Sequence, residues 1–362
     1  MAKILFLIAH LCSRGAEHQM VTVAGLLKND GHDVSFLCYH PDNFFEPVLI
    51  KQGISVRRLP PMGYIRRMMT VRHIIRNGGY DVVVSFLLTD NFLNDFSAVG
   101  RHRWKVITGE RSSKESHLTS FRGRIFAWFQ RYSDYIVCNS KNAMDMWLKH
   151  YPKYKDKLLV IYNNVKLPEI NSSYRLRRDG KTHIVLAGAY AYVKDPQCLI
   201  SAISLLPIEK RGRIVVDWYG KIDANTEATQ IYSLSESLIK RHHLENTIFL
   251  HDATHNIADR MNEADVVALV SRWEGLPNSI CEGMTIGKPI LMTCVSDYST
   301  LIDDSNGWLC RSGDSESIAK ALSETIASSD NVLIAKGYSS KKRAMVLFSE
   351  EKVLKDWLKI IE

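Results

Sequence analysis

The amino-acid sequence predicts an α/β protein made of two Rossmann-like parallel-sheet domains that face each other across a cleft. First, apolar runs of strand length alternate with helical segments along almost the whole chain. Second, this alternation starts again at residue 182, after a polar stretch that contains a proline. Third, a length of 362 residues suffices for two domains of ordinary size.

The predicted first domain covers residues 1–168. Its first strand leads through a loop containing Gly15 into a helix and a second strand, which is how a Rossmann-like domain begins. The dinucleotide-binding fingerprint needs several glycines in that turn, so this kind of site is not predicted. The predicted strands are residues 3–10, 31–38, 81–86, 105–108, 135–140 and 158–162, and the predicted helices are 17–29, 64–76 and 141–150.

Residues 169–180 form the predicted linker, 181–345 the second domain, and 346–362 a C-terminal helix that packs back toward the first domain. Loops at the carboxyl ends of parallel strands line binding sites, so these loops are the places to search for function. The predicted strands are residues 182–188, 213–219, 246–250, 265–270, 290–295 and 307–310, and the predicted helices are 196–206, 315–328, 350–361 and one from about 278 to a stop at Gly287.

The composition is that of a soluble globular protein, with 46% hydrophobic and 24% charged residues. No apolar run reaches about 18 residues, the length that predicts a membrane-spanning helix. The first residues read as a strand rather than a signal peptide, because no small-residue cleavage site follows them. The seven cysteines are scattered without a C-x-x-C pair, which indicates reduced thiols in a cytosolic protein and predicts neither disulfides nor a zinc site.

Charge is distributed unevenly along the chain. Residues 1–168 have a net charge of +11, whereas residues 169–362 have −3. This asymmetry indicates that the first half faces an anionic partner, either a membrane surface, a phosphorylated lipid or nucleic acid. The chain has no zinc-finger, RRM-type or basic-helix dimer signature, so nucleic acid is not predicted as a partner.

The helix predicted at 64–76 combines one apolar face with four arginines. A basic amphipathic helix of this kind can lie on an anionic membrane surface. The alternative is a Rossmann helix whose apolar face covers the sheet and whose arginines are solvated. The sequence leaves both interpretations open.

The most informative stretch is residues 271–289, SRWEGLPNSICEGMTIGKP, which lies between two apolar strands. Pro277 occupies the first turn of the predicted helix, and the start of a helix offers free N–H groups and a positive dipole end to phosphate. Glu274 precedes this start and Glu282 lies about one turn inside it. Carboxylates repel phosphate and accept hydrogen bonds from hydroxyl groups, so a diphosphate between two polyols, a nucleotide-sugar, fits this pattern. The alternative is a capped helix with two solvated glutamates.

At Glu274-Gly-Leu-Pro and Glu282-Gly-Met the chain resembles the retaining glycosyltransferases of family four, which have the GT-B fold. The resemblance extends to Gly287-Lys-Pro-Ile, Asn306-Gly-Trp-Leu and Arg14-Gly-Ala-Glu17, and it covers nearly the whole length. The glutamate pair is the most specific of these features, while the others support it through their order along the chain.

The resemblance implies a role for each matching residue. Glu282 binds ribose hydroxyls, Glu274 binds hydroxyls of the donor sugar, and Lys194 stabilises the departing diphosphate. Gly15 lets the first loop approach the diphosphate or the acceptor closely. The implied nucleotide-sugar site also includes Gly188, Arg111 and the backbone amides of the α-helix start, at Leu276, Pro277, Asn278 and Ser279, with Pro277 contributing only its position since it has no N–H.

Two positions depart from the family pattern. The family usually has an arginine after the glycine of the second domain's first strand, and here that residue is Ala189. One cation of the phosphate site is therefore missing, and Arg111 or Arg14 is the candidate replacement. Where the family often has a histidine, this chain has Glu110 and Arg111, both expected to point at the cleft. A Glu-Arg-Ser run resembles the branch of bacterial glycan-assembly enzymes that use UDP-N-acetylhexosamines.

The resemblance therefore implies a metal-independent hexosyltransferase without a cofactor. It would move a hexose or N-acetylhexosamine, with N-acetylgalactosamine or N-acetylglucosamine favoured, from a UDP-sugar to a polyprenyl-diphosphate-linked glycan acceptor in surface polysaccharide or O-antigen assembly. The expected location is cytoplasmic, peripheral at the inner face of the cytoplasmic membrane. Two alternatives stay open at this point, a sugar-nucleotide epimerase of the same fold and a non-catalytic nucleotide-binding protein.

Overall fold

A computed structural model describes residues 1–12, 15–111, 115–165, 179–222 and 226–362. The chain divides into a first unit, Met1–Asn164 with Phe348–Glu362, and a second unit, Val165–Leu347. Most of the predicted linker, residues 169–178, lies outside the described residues, and so does Arg14.

The first unit is built on a seven-stranded parallel sheet with strand order β3-β2-β1-β4-β5-β6-β7. The chain moves outward from β1 in one direction and then returns to β4 on its other side, so the order reverses between β1 and β4. The strands are β1 (Lys3–Ile8), β2 (Asp33–Cys38), β3 (Ser55–Arg58), β4 (Val82–Ser85), β5 (Lys105–Glu110), β6 (Tyr135–Cys138) and β7 (Leu158–Val160).

Helices connect these strands and cover the sheet. They are α1 (Gly15–Asn29), α2 (Glu46–Lys51), α3 (Tyr64–Asn77), α4 (Leu88–Ala98), α5 (Ser116–Thr119), α6 (Phe121–Phe129) and α7 (Lys141–His150), with 3-10 turns at Gln130–Tyr132 and Pro152–Lys157. Strand β4 and its neighbours are buried on both faces, which is why their sequences are nearly continuous apolar runs.

The second unit has the same kind of architecture, with a six-stranded parallel sheet of order β10-β9-β8-β11-β12-β13. Its order reverses between β8 and β11, so the loops after these two neighbouring strands meet at one edge. The strands are β8 (Thr182–Ala187), β9 (Ile214–Tyr219), β10 (Ile248–His251), β11 (Val266–Leu269), β12 (Ile290–Thr293) and β13 (Gly307–Cys310).

The helices of the second unit include the one predicted after the SRWEG sequence. They are α8 (Pro196–Leu205), α9 (Ile208–Arg211), α10 (Glu227–Arg241), α11 (Ile257–Glu263), α12 (Asn278–Ile286), α13 (Tyr298–Leu301), α14 (Ser315–Ala327) and α15 (Asp330–Phe348), with a 3-10 turn at Tyr192–Lys194. The last helix, α16 (Glu350–Ile361), belongs to the first unit, where Trp357 is buried with its ring 5.9 Å from that of Phe86.

The predicted α/β class with two parallel-sheet units is confirmed. Several elements have no counterpart among the sequence predictions, and α4 is the clearest of them. Its polar residues are buried, and their side chains bond to the sheet: Asn94 donates to the carbonyl of Val83 at 3.1 Å and Asn91 to that of Gly109 at 2.9 Å. Polar side chains therefore occupy buried positions of this helix beside the apolar Phe92 and Leu93, and they interrupt the apolar pattern by which buried helices are predicted.

Two of the four arginines of α3 have structural roles. Arg72 donates to the carbonyls of Ser97 and Val99, and Arg76 to that of Arg101, at the carboxyl end of α4. Because the last carbonyls of a helix lack intrahelical partners, these cations stabilise that end. These two arginines are therefore engaged inside the first unit and are not simply solvated.

Candidate functional site

The start of α12 lies where the loops after β8 and β11 meet. The loop after β11 is held at two points, since Thr293 of β12 donates to the carbonyl of Ser271 at 2.8 Å and Ser312 donates to the carbonyl of Arg272 at 3.0 Å. These bonds fix the loop from which Glu274 projects. The predicted helix is confirmed from Asn278 to its glycine end.

Local sequence explains both ends of α12. Pro277 is the N-cap residue, one position earlier than the first-turn place predicted for it, and it provides no side-chain cap. The positive end of the helix dipole and the first amides are thus left for another acceptor. Gly287 ends the helix with φ of 89°, a conformation that glycine adopts without strain. Gly283 lets α12 approach β11 closely, because an added Cβ there would lie 2.8 Å from Val267.

Lys194 and Glu274 form an ion pair across the two loops. Lys194 Nζ lies 2.5 Å from Glu274 Oε1, and the same oxygen accepts a hydrogen bond from Ser271 Oγ at 2.6 Å. The side chains are 23% and 12% exposed, so the pair is shielded but reachable from solvent. Lys194 runs along Gly188, where an added Cβ would contact its stem at 3.4 Å. The structure therefore brings together three residues that the sequence analysis placed in one site.

A second ion pair supports the first, and the sequence analysis missed it. Asp195 follows Lys194 in the left-handed conformation, with φ of 53°, and its carboxylate lies 3.0 Å from Arg272 Nη2. The amide of Arg272 also donates to the carbonyl of Val193 at 2.8 Å. Burial raises the pKa of Asp195, and the guanidinium of Arg272 opposes that rise. The only sequence signal was the presence of opposite charges next to Lys194 and Glu274.

Replacing Arg272 with methionine is expected to destabilise the second unit by about 3 kcal/mol, because the Asp195 carboxylate, 2% exposed, loses its counter-charge. Urea unfolding of the whole chain measures this. Arg311→Met is the matched control, since the side chain of Arg311 is 76% exposed in its pair with Asp314 and its loss should cost much less stability. Equal costs for the two variants would show that the Asp195 pair does not fix the loop.

Glu282 differs from Glu274 in its surroundings. It lies in the second turn of α12 and is partly buried, and burial raises the pKa of its carboxyl to about 7. Among the residues that the structure describes, none forms a hydrogen bond or an ion pair with it. A desolvated carboxylate in this position can accept hydrogen bonds from neutral hydroxyl groups.

The remaining predicted residues of this site lie around the same helix start. Leu276 and Pro277 are buried, Ser279 is half-buried and Asn278 is exposed. Ala189, which stands where an arginine was expected, is exposed in the loop after β8. These positions are consistent with a ligand that crosses the helix start between the two loops.

Gly15 and Arg111 belong to the first unit. Gly15 is the exposed first residue of α1. Arg111 follows β5, stacks on the ring of Phe86 at 3.8 Å and donates to Asn163 Oδ1 at 3.2 Å, and burial lowers its pKa to about 10. Glu110, expected to point at the cleft, is instead buried in this unit and accepts a hydrogen bond from the indole of Trp147 at 3.1 Å.

One cluster among the described residues has the ligand types of a metal site. His10 Nδ1, Cys12 Sγ and Glu17 Oε1 lie within 4.8 Å of one another in the first unit. Direct hydrogen bonds also link them, at 2.9 Å between His10 and Cys12 and 3.2 Å between Cys12 and Glu17. The cluster does not include any residue of the Lys194–Glu274 site.

The chain matches known families along both units. Residues 13–167 match the family model described as Glycosyltransferase Family 4, and residues 181–328 match that described as Glycosyl transferases group 1. An uncharacterized glycosyltransferase of Haemophilus influenzae is 24% identical over 372 residues, which is 100% of both chains.

Solved structures share the fold at low sequence identity. HepE of Anabaena in complex with UDP and glucose has 17% identity and a TM-score of 0.79, with 99% of each chain covered. The lipopolysaccharide outer core galactosyltransferase WaaB has 15% identity and a TM-score of 0.75, again with 99% of each chain covered. These likenesses support the arrangement of two parallel-sheet units described above.

Proposed function

We propose that this chain, a glycosyltransferase of the GT-B type with a family 4 domain followed by a group 1 domain, is a retaining enzyme that transfers a hexose or N-acetylhexosamine from a UDP-sugar to a glycan acceptor. N-acetylgalactosamine or N-acetylglucosamine is the favoured sugar. The observation that carries the proposal is the ion pair of Lys194 and Glu274 at the start of α12, with Glu282 one turn inside the helix.

The geometry supports a separate role for each residue in binding the donor. Glu282 accepts hydrogen bonds from the ribose hydroxyls, and the diphosphate lies against the helix start formed by residues 276–279. Glu274 accepts hydrogen bonds from hydroxyls of the transferred sugar through its second carboxylate oxygen, which Lys194 does not contact. An ammonium group has three donors, so Lys194 can contact Glu274 and a phosphate oxygen at the same time.

In the proposed reaction the protein acts mainly by stabilising charge on the leaving group. The bond between the sugar's anomeric carbon and the diphosphate oxygen breaks, and its electron pair stays on the diphosphate. The acceptor hydroxyl forms the new bond on the same face and gives its proton to the departing diphosphate. Lys194 and the helix dipole stabilise the charge that grows on this leaving group, so we propose that neither a metal nor a cofactor is required.

The nucleotide assignment is supported by the relatives. HepE of Anabaena has been solved with UDP and with UDP-glucose, and WaaB is described as a lipopolysaccharide galactosyltransferase. We extend uridine diphosphate as the carrier to this chain, together with surface polysaccharide or O-antigen assembly as the pathway. Binding of a GDP-sugar in preference to every UDP-sugar would contradict the nucleotide assignment.

A cavity of about 450 Å³ in the first unit supports an amphiphilic, anionic acceptor. It lies at the carboxyl ends of β2 and β3, and Arg67 in its wall stacks on the ring of Tyr39 at 4.7 Å. Arg58 and His40 also line the cavity, together with apolar side chains such as Leu59 and Met62. This mixed lining suits a polyprenyl-diphosphate-linked glycan, and it agrees with the basic charge of the first half of the chain.

Arg67→Gln is expected to raise the KM for a lipid-diphosphate acceptor roughly tenfold, because one charged hydrogen bond to the anion is lost. Thermal stabilisation by UDP should not change. Arg66→Gln is the matched control, since Arg66 is exposed on the same helix and does not line the cavity. An unchanged KM in the Arg67 variant would remove this cavity from the acceptor site.

We place the enzyme in the cytoplasm, peripheral at the inner face of the cytoplasmic membrane, since the proposed acceptor is lipid-linked. Among the described residues, no helix is long and apolar enough to cross a membrane. Nucleic acid is not among the proposed partners.

The decisive experiment is mass analysis of products formed from UDP-sugars with and without a lipid-linked acceptor. A glycosylated acceptor in the presence of a chelator supports the proposal. An isomerised sugar nucleotide without acceptor would indicate an epimerase, and UDP binding without any product would indicate a non-catalytic protein. Loss of transfer with a chelator would contradict metal independence.

A further inference from the structure

Helix α6 of the first unit turns an apolar stripe to solvent. Phe121, Ile125 and Trp128 are 83%, 40% and 44% exposed, and their spacing of four and three residues places them on one face. The opposite face is in the core, where the ring of Phe126 stacks on that of Phe92 in α4 at 4.5 Å. The helix is therefore already anchored to its unit, and the exposed stripe is additional to what folding requires.

Exposed cations surround this stripe. Arg131 lies over the ring of Trp128 at 3.6 Å, Arg122 donates to Thr89 Oγ1 at 3.1 Å, and Arg124 donates to the carbonyl of Thr119 at 3.0 Å. None of these arginines pairs with a carboxylate among the residues that the structure describes. The sequence from 116 to 133 contains no aspartate or glutamate, so the field around the stripe is positive.

The contrast with α3 identifies which helix is suited to a surface role. In α3 the apolar residues Val71, Ile74 and Ile75 are buried, while Tyr64, Ile65 and Met69 in its first half are exposed. Two of its arginines bond to carbonyls of α4 or beyond it. In α6 the arginines have neutral partners or an aromatic ring and lie beside exposed apolar side chains. Arg122, Arg124 and Arg131 thus all lie beside the exposed stripe without a carboxylate partner among the described residues, whereas two of the four arginines of α3 are engaged at the end of α4 or beyond it.

We propose that α6 is the surface through which the first unit contacts an anionic lipid bilayer. Phe121, Ile125 and Trp128 enter the boundary between headgroups and acyl chains, where aromatic side chains are favoured. Arg122, Arg124 and Arg131 lie beside lipid phosphates, and each adds to the electrostatic attraction. This inference rests on the peripheral membrane role proposed above and assigns it to a defined set of side chains.

The test compares binding of the whole chain to vesicles of phosphatidylcholine alone and with about one third phosphatidylglycerol, by co-sedimentation. The wild type should bind the anionic vesicles, and Phe121→Ser with Ile125→Ser should weaken that binding about tenfold or more. Replacing Arg122, Arg124 and Arg131 with glutamine should abolish the preference for anionic vesicles. Ile208→Ser is the matched control, since Ile208 is 82% exposed in the second unit, and it should bind like the wild type.

A second measurement reports on Trp128 directly. Acyl-chain-brominated lipids should quench part of the wild-type tryptophan fluorescence, and Trp128→Phe should lose that quenched part. Equal vesicle binding by the wild type and the α6 variants, or no binding by either, would overturn the proposal. Self-association without lipid that the serine double variant abolishes would also overturn it, because a protein partner would then occupy the stripe.

The outcome is separable from that of the proposed reaction. The serine double variant should keep wild-type stabilisation by UDP and wild-type transfer to a water-soluble acceptor, since α6 has no role in the donor site. If the wild type transfers no sugar but the vesicle binding is as expected, the proposed sugar transfer is wrong and the proposed membrane contact of α6 is still supported.

Discussion

Replacing Lys194 with methionine is expected to lower kcat for sugar transfer about 100- to 1000-fold, the usual effect of removing one donor from a charge-stabilising site. The diphosphate gains negative charge as its bond to the sugar breaks, and a cation held beside it lowers the barrier. The ion pair at 2.5 Å with Glu274 holds the ammonium in place before the substrate arrives. Initial rates with saturating UDP-sugar measure the effect.

Controls separate the loss of the cation from damage to the loop. In Lys194→Met, the Glu274 carboxylate keeps its bond to Ser271 but loses its cation. Lys194→Met combined with Glu274→Gln removes that leftover charge and should restore the unfolding midpoint without restoring kcat. Lys194→Arg retains the charge and should keep more activity than methionine. Wild-type kcat in Lys194→Met would refute its role at the leaving group.

The sequence could predict that Lys194 and Glu274 lie close together because each follows a strand. Lys194 comes after β8 and Glu274 after β11, and these strands are neighbours in the second sheet. It could not predict the ion pair itself, since the partners are 80 residues apart and their meeting depends on the strand order. The pair of Asp195 and Arg272 was missed because its partners also lie far apart in the sequence. In addition, neither residue is unusual in its own loop.

Two of the misses in the first unit have the same physical cause, which is that polar side chains are buried. Helix α4 was not predicted because Asn91 and Asn94 lie where an apolar stripe is expected, yet both are satisfied by sheet carbonyls. Glu110 was expected to point at the cleft because it follows a parallel strand, whereas it is buried against Trp147. Patterns of hydrophobicity describe the strands well, but they cannot show that a polar group finds its partner inside.

Glu282→Gln is expected to weaken UDP binding by about 2 kcal/mol, roughly 30-fold, since hydrogen bonds from two ribose hydroxyls to a carboxylate become bonds to a neutral amide. Calorimetry with UDP measures the loss. The matched ligand is 2′,3′-dideoxy-UDP, which lacks both hydroxyls and should bind the wild type and the variant with similar affinity. A similar loss for both ligands would show that Glu282 acts elsewhere than at the ribose.

The raised pKa of Glu282, about 7, adds a pH dependence to this prediction. Hydroxyl donors favour the carboxylate, so binding strengthens as the pH rises through about 7 and levels off above it. Binding at pH 6 should therefore be about tenfold weaker than at pH 8, because roughly a tenth of the side chains are ionised there. A UDP-sugar is the right ligand for this titration, since its diphosphate is a diester and stays ionised over the range.

Glutamine at position 282 cannot ionise, so the variant should bind the UDP-sugar with nearly constant affinity between pH 6 and pH 8. Its affinity should fall below that of the wild type at pH 8 and approach it at pH 6, where most wild-type side chains are protonated. A pH profile that survives in Glu282→Gln would assign the titration to another group. The convergence of the two profiles toward pH 6 thus tests in one experiment both the desolvation of Glu282 and its place beside the ribose.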